Sequence, residues 1–227
     1  MNLSAIRVNL LQWLLIAVCL AAPAAGHSAV KETERLTASR VFAEIPLEVL
    51  DMLRPSTRLD MLDYYAQADS MLVAVDALGG SSSLQQVTDD YLKLSVTPVS
   101  TLEIKILPYG KRQLVMTVYT TGGDDMAKDS EVRFFDSGMQ PLPAGKFMKA
   151  PTLTDFFNLK GSGISEKELK EKVPFIAVEY TSGPGETPLE ATLTSLRVIS
   201  QEERDLLTAF LIPTLTASWK KSYRFTP

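Results

Sequence analysis

Four clusters in this sequence carry residue types that do chemistry. Asp89-Asp90 is a pair of adjacent carboxylates, groups that hold cations or act as acid and base. The pair directly precedes an alternating run at Tyr91, and neighbours in an extended chain point to opposite faces, which works against joint action. The preferred reading is a turn or cap whose carboxylate accepts backbone N–H bonds. Gly122-Gly123-Asp124-Asp125, with Asp129 and Glu131, places four carboxylates on one loop, as calcium would require. Met126 and Lys128 break the ligand spacing of a calcium loop, so a solvated hairpin turn is expected. Ser218-x-x-Lys221 matches the minimal serine-nucleophile motif, but the Ser-Asp-Asn and Lys-Thr-Gly companions are missing. A predicted strand there also sends Ser218 and Lys221 to opposite faces. The segment WKKSYRF (219–225) mixes Lys220, Lys221 and Arg224 with Trp219, Tyr223 and Phe225, a composition that suits a polyanion or an anionic lipid surface. The plainer expectation is a terminal strand with inward aromatics and outward cations.

Adjacent aromatic pairs add one more candidate. Tyr64-Tyr65, Phe134-Phe135 and Phe156-Phe157 each offer one ring to a core and one elsewhere. Strand alternation sends Phe134 inward and Phe135 to the other face. Phe135, Trp219, Tyr223, Lys220 and Arg224 therefore form the candidate partner surface. No catalytic, cofactor-binding or metal-ligating residue is assigned.

What is missing narrows the chemistry further. The 227 residues include 1 His and 1 Cys, and both fall in the first 27 positions. Beyond them there is no Ser-His-Asp triad, no Cys-His pair and no Cys/His zinc site. Gly-x-Ser-x-Gly, the phosphate-cradling loop and the dinucleotide fingerprint are absent too. Any catalysis would have to use carboxylates, Lys, Tyr or Ser. The formal charge of -4 argues against nucleic-acid binding, and 45% hydrophobic residues suit a folded domain.

Residues 1–26 read as a secretory signal peptide: Arg7, an apolar run from Leu10 to Ala22, then Pro23 and small residues. The run is shorter than the ~20 residues of a membrane span. Val18 ahead of Cys19 departs from a lipoprotein acylation site. Cleavage removes Arg7 and no acid, which takes the charge to -5. It also leaves no Cys, so no disulfide forms and no transmembrane helix is expected in the mature chain. Export to the periplasm or cell envelope follows as the expected localisation.

The elements that must position these residues follow from periodicity. Residues 27–41 read as a flexible leader, and 42–227 as a single α+β domain with a soft boundary near 143–151. Leu47, Leu50 and Leu53 fit a short helix stopped by Pro55. A second helix, capped at Ser56 or Thr57, carries a stripe of Leu59, Leu62, Tyr65 and Ala66. Gly79-Gly80 and the following serines read as a loop. Then come four alternating runs: Leu92/Leu94/Val96, Leu102/Ile104/Ile106, Leu114/Met116/Val118 and Val132/Phe134. Short turns at Thr97-Pro98 and Tyr109-Gly110 forbid parallel crossovers, so these runs form an antiparallel meander with one apolar face. Later, Thr152/Asp155, Ser165/Glu168 and Ser200/Glu203 fit capping boxes. Strands are predicted at 175–180, 189–198 and 219–225. The expected fold is α+β: a largely antiparallel β-meander sheet covered on one face by several short helices.

RLDMLDYY (58–65), LGG (78–80), VTDDYLKLSV (87–96), STLEIKILPYG (100–110) and RFFDSGMQPLPAG (133–145) together resemble a family of exported, Bacteroidales-type proteins of unknown function. The resemblance spans about residues 42–225 and implies a Gram-negative envelope. It implies no activity, cofactor or catalytic residue. The expected role is a non-enzymatic binding or structural module whose partner is a protein, glycan or lipid of the envelope. A carrier of an apolar ligand is the alternative. Its cavity would be lined by Leu92, Leu94, Ile104, Ile106, Met116 and Val118. A carboxylate-dependent hydrolase would need two acids facing each other across a cleft, which no spacing indicates.

Overall fold

Hairpin register decides this architecture. The structure, a computed structural model, describes residues 35–67, 74–75 and 80–227. The expected signal peptide, Cys19, His27 and most of the expected leader lie outside the described residues.

Leu36–Pro227 form one compact unit, so the folded region begins ahead of residue 42 and contains the 143–151 segment. Its first helix, α1 (Ala38–Glu44), is capped by Thr37, whose hydroxyl accepts the Arg40 N–H at 3.3 Å. Leu36, Ala38, Val41 and Phe42 are buried, because this end of the expected leader supplies core residues. Leu47, Leu50 and Leu53 lie in or beside turns rather than in a helix. Pro55 opens the next helix instead of stopping the previous one: α2 (Pro55–Ala66) has it at the first position, where a missing N–H costs nothing. The buried residues of α2 are Arg58 and Met61, while Leu59 and Tyr65 of the predicted stripe are exposed. Arg58 is drawn inward by polar contacts that hydrophobic periodicity does not register.

The strands β1 (Ala74–Val75), β2 (Ser81–Val87), β3 (Tyr91–Thr97), β4 (Ser100–Tyr109), β5 (Arg112–Thr121), β6 (Asp129–Phe135) and β7 (Pro141–Leu142) form a seven-stranded antiparallel meander in chain order. The serines expected in a loop belong to β2, where the buried Ser82 hydroxyl donates to the Val96 carbonyl at 2.6 Å.

The rest of the chain is β8 (Met148–Lys149), α3 (Glu166–Lys172), β9 (Val178–Thr181), β10 (Leu189–Leu193), α4 (Gln201–Thr208), β11 (Leu215–Ala217) and β12 (Tyr223–Arg224). The order β11-β10-β9 makes a three-stranded sheet, and β12 pairs with β8 in parallel. The capping boxes at Thr152/Asp155 and Ser165/Glu168 are both present, the first on a 3₁₀ turn (Leu153–Phe156). Ser200 caps α4 by accepting the Glu203 N–H. The strand predicted to Val198 ends at Leu193 and gives way to a 3₁₀ turn. The predicted final strand is broken: Lys221 has φ 72°, and only Tyr223–Arg224 pairs.

The expected single apolar face is not what forms. The two-residue turn Gly110-Lys111 pairs Tyr109 with Arg112, and this register sets Ile104 opposite Thr117 and Leu102 opposite Tyr119. The apolar row therefore changes face between β4 and β5. Between β3 and β4 a register shift near Val96 keeps Leu94 opposite Leu102, on one face. Each face thus has its own core. Leu92, Leu94, Ile104, Ile106, Val115 and Phe135 pack with α1, Leu50, Leu53 and Met61. Met116, Val118 and Phe134 pack with Phe147, Phe156, Leu169 and the β9–β11 sheet on the other side. The six residues suggested as one ligand cavity lie on opposite faces, so they cannot line it together.

Candidate functional site

A polar cleft opens on the α1–α2 side of the meander. Its base is four residues in cross-strand register: Thr117 opposite Arg133, and Tyr119 opposite Glu131. Its outer wall is the 45–53 loop, through Glu48, Val49 and Asp51. The cavity volume is about 240 Å³. Glu131 and Arg133 are paired at 2.6 Å. Thr117 is only 2% exposed, and its hydroxyl forms no hydrogen bond with another described residue.

Arg58 holds the outer wall in place. It is fully buried, and its guanidinium donates to the carbonyls of Leu53 at 2.9 Å, Leu50 at 2.8 Å and Ile45. Burial lowers its pKa. Three fixed donors on one planar group suit three converging carbonyls of a turn-rich loop, a geometry lysine cannot reproduce. Arg58 is thus a positioning residue for Glu48, Val49 and Asp51.

The opposite face of β3 and β4 holds a second polar cluster, and this one is closed. Glu103 is 3% exposed; one oxygen lies 3.4 Å from Lys93 Nζ and the other accepts the Ser182 N–H at 2.8 Å. Burial raises the Glu103 pKa, opposed by the Lys93 charge and by the hydrogen bond from Ser182. Lys105 Nζ donates to the carbonyls of Gly183 and, at 3.3 Å, Thr187. Burial lowers its pKa against the pull of Asp90 and Glu103. These contacts clamp the loop after β9 onto the meander.

The sequence candidates fall as follows. Asp90 accepts the Gly185 N–H at 2.8 Å and the Thr88 hydroxyl at 3.1 Å, so it serves the turn and the loop clamp. The acidic hairpin disperses: Asp124 pairs with Lys128 at 3.4 Å, Asp129 accepts the Val178 N–H at 3.1 Å, and Glu131 turns to Arg133. Ser218 and Lys221 lie in irregular chain, so the strand argument about their faces does not apply.

Phe135 is 4% exposed and Tyr223 is 1% exposed, so neither presents a partner surface. Phe135 belongs to the buried core on the α1–α2 side of the sheet, because both sheet faces are covered. Trp219 is half-buried, its ring 5.0 Å from that of Tyr223 and its Nε1 donating to the Pro108 carbonyl at 2.7 Å. Lys220 and Arg224 remain exposed. The structure does not gather these five residues into one surface.

Sequence reasoning missed the cleft. Alternation did place Thr117, Tyr119, Glu131 and Arg133 on the polar side of their strands. Nothing local showed that the 45–53 loop would lie beside them.

Fold and cleft together define a class: an α+β protein built on a two-faced antiparallel meander, with a braced loop beside a polar patch of the sheet. The chain matches the family described as "Protein of unknown function (DUF3256)" over residues 31–225, and it belongs to that family. A solved structure, that of a domain of an uncharacterized protein from Porphyromonas gingivalis W83, has the same fold. The TM-score is 0.69 at 19% identity, over 82% of this chain and 98% of that one. Among curated proteins none matches the chain. No described helix is long and apolar enough to cross a membrane.

Proposed function

We propose that this protein is an exported, non-enzymatic module of the Gram-negative cell envelope that binds a partner through the cleft between the 45–53 loop and strands β5 and β6. Thr117 carries this reading: a residue 2% exposed at the base of a cleft, whose hydroxyl has no described hydrogen-bond partner and opens to the cleft. A polar group in that position is costly unless water or a ligand satisfies it. Export rests on the pattern of residues 1–26. The non-enzymatic reading is supported by the buried ionisable groups Glu103 and Lys105, which are engaged in holding the chain together.

The test is photocrosslinking in living cells, with a photoreactive residue at Val49 on the cleft wall and another at the exposed Lys160 as a control. The expected result is a reproducible adduct from position 49 and none from 160. No adduct at 49, or equal adducts at both, would overturn binding at the cleft. Hydrolysis of an envelope glycan by the wild type but not by a Glu131→Gln variant would replace this reading with an enzymatic one.

A further inference from the structure

We infer that the cleft takes the cationic side chain of a partner protein, a lysine or arginine on an exposed peptide segment. The inference rests on the reading of the cleft as a binding site and adds the chemistry of its ligand. Three carboxylates line the cleft, Glu48, Asp51 and Glu131, against one guanidinium, Arg133. Arg133 is already paired with Glu131 at 2.6 Å, so the remaining charge comes from the two carboxylates of the loop. An anionic ligand meets repulsion there, and a wholly apolar one leaves the Thr117 hydroxyl unsatisfied.

A long cationic side chain meets each lining group with a complementary part. Its alkyl stem packs on Val49 and on the ring of Tyr119. That ring also attracts a cation by its quadrupole. The charged head donates to the Thr117 hydroxyl at the base and lies near Glu48 and Asp51. A volume of about 240 Å³ admits one side chain rather than a folded surface. A metal ion is a poorer occupant, because no described group of three acidic, His or Cys side chains is placed to hold one. The chain's overall charge of -4 adds long-range attraction for a basic partner.

The probe is N-acetyl-lysine methylamide, titrated into the full chain while backbone amide NMR shifts are followed. Its norleucine analogue has the same shape without the charge. Saturable shifts are expected at Val49, Asp51, Thr117 and Tyr119 with the lysine compound alone. Raising the salt from about 0.02 M to about 0.5 M should weaken them. Thr117→Val should weaken binding about tenfold, and Thr117→Ser, which keeps the hydroxyl, should retain it. Glu48→Gln with Asp51→Asn should abolish the preference for lysine over norleucine.

Equal shifts from both compounds, or none from either, would overturn the cationic ligand. So would saturable binding of a neutral chitin disaccharide at the same amides without lysine binding. If the Val49 crosslink persists in those cases, the site stands and only its ligand class is wrong. If the crosslink is absent as well, the binding reading itself fails.

Discussion

Tyr223 is enclosed on every side, and its hydroxyl has no hydrogen-bond partner among the described residues. A buried donor without a partner costs about 1–3 kcal/mol. Tyr223→Phe removes that cost and keeps the ring beside Trp219. The expected outcome is a gain of about 1 kcal/mol in urea unfolding. A loss of stability would show that the hydroxyl is satisfied in solution. Phe135 makes the opposite case, because its ring is part of the buried core on the α1–α2 side of the sheet. Phe135→Ala should cost about 3–5 kcal/mol through lost burial and a residual cavity. An unchanged unfolding midpoint would put Phe135 back at the surface.

At the scale of elements, two glycines separate conformational strain from steric exclusion. Gly110 opens the β4–β5 turn at φ 64°, and a Cβ there meets nothing within 4 Å. Gly122, which ends the β5 edge at φ 122°, would place a Cβ 2.6 Å from the Ala127 carbonyl oxygen and 2.9 Å from Lys128 Cα. Gly110→Ala should therefore cost about 1 kcal/mol, the ordinary penalty of a left-handed alanine. Gly122→Ala should cost about 3 kcal/mol or more, because backbone must move as well. Thermal unfolding of the two variants side by side checks the order, and equal losses would contradict it. The β4–β5 turn matters beyond its own stability, since its two-residue length sets which residues face each core.

For the whole molecule, the buried tyrosines set the response to alkali. Burial raises the pKa of Tyr91, Tyr180 and Tyr223, with Glu103 adding at Tyr91 and Asp129 at Tyr180. Tyr180 is pushed up to about 12. The unfolded chain releases these protons near the ordinary value of 10.0 while the folded chain keeps them, so folding binds protons in this range. Stability must then fall as pH rises above about 10, by about 1.4 kcal/mol per pH unit for each tyrosine, and the share of Tyr180 is exhausted near 12. Lys105 acts in the opposite sense, because its pKa is lowered; stability rises between that value and 10.5. Three groups outweigh one, so urea midpoints should drop between about pH 9 and about pH 11. Tyr180→Phe should make the drop shallower by about one proton's worth. A flat profile would mean that the tyrosines ionise within the folded protein.

The sequence alone determined the four central strands, their antiparallel order, the capped starts of α3 and α4 and the α+β class, whereas the cap expected at Ser56 or Thr57 is absent because α2 starts at Pro55. Each of these follows from near-neighbour chemistry: alternation, short turns, and a hydroxyl placed three residues before an acid. Resemblance to a family of unknown function was legible for a similar reason, since it was read from residue runs such as 87–110, within the 31–225 span that the family covers. Tertiary structure alone decided which side of the sheet each apolar row occupies. The two-residue β4–β5 turn sends the apolar row of β5 to the opposite face, while the register shift near Val96 keeps those of β3 and β4 together, and neither changes the pattern within a strand. It also decided that Phe135 and Tyr223 are core residues, that Arg58 braces a loop, and that Thr117 lies at the base of a cleft. Those outcomes depend on what packs against a residue from far along the chain, and local periodicity carries no record of that distance.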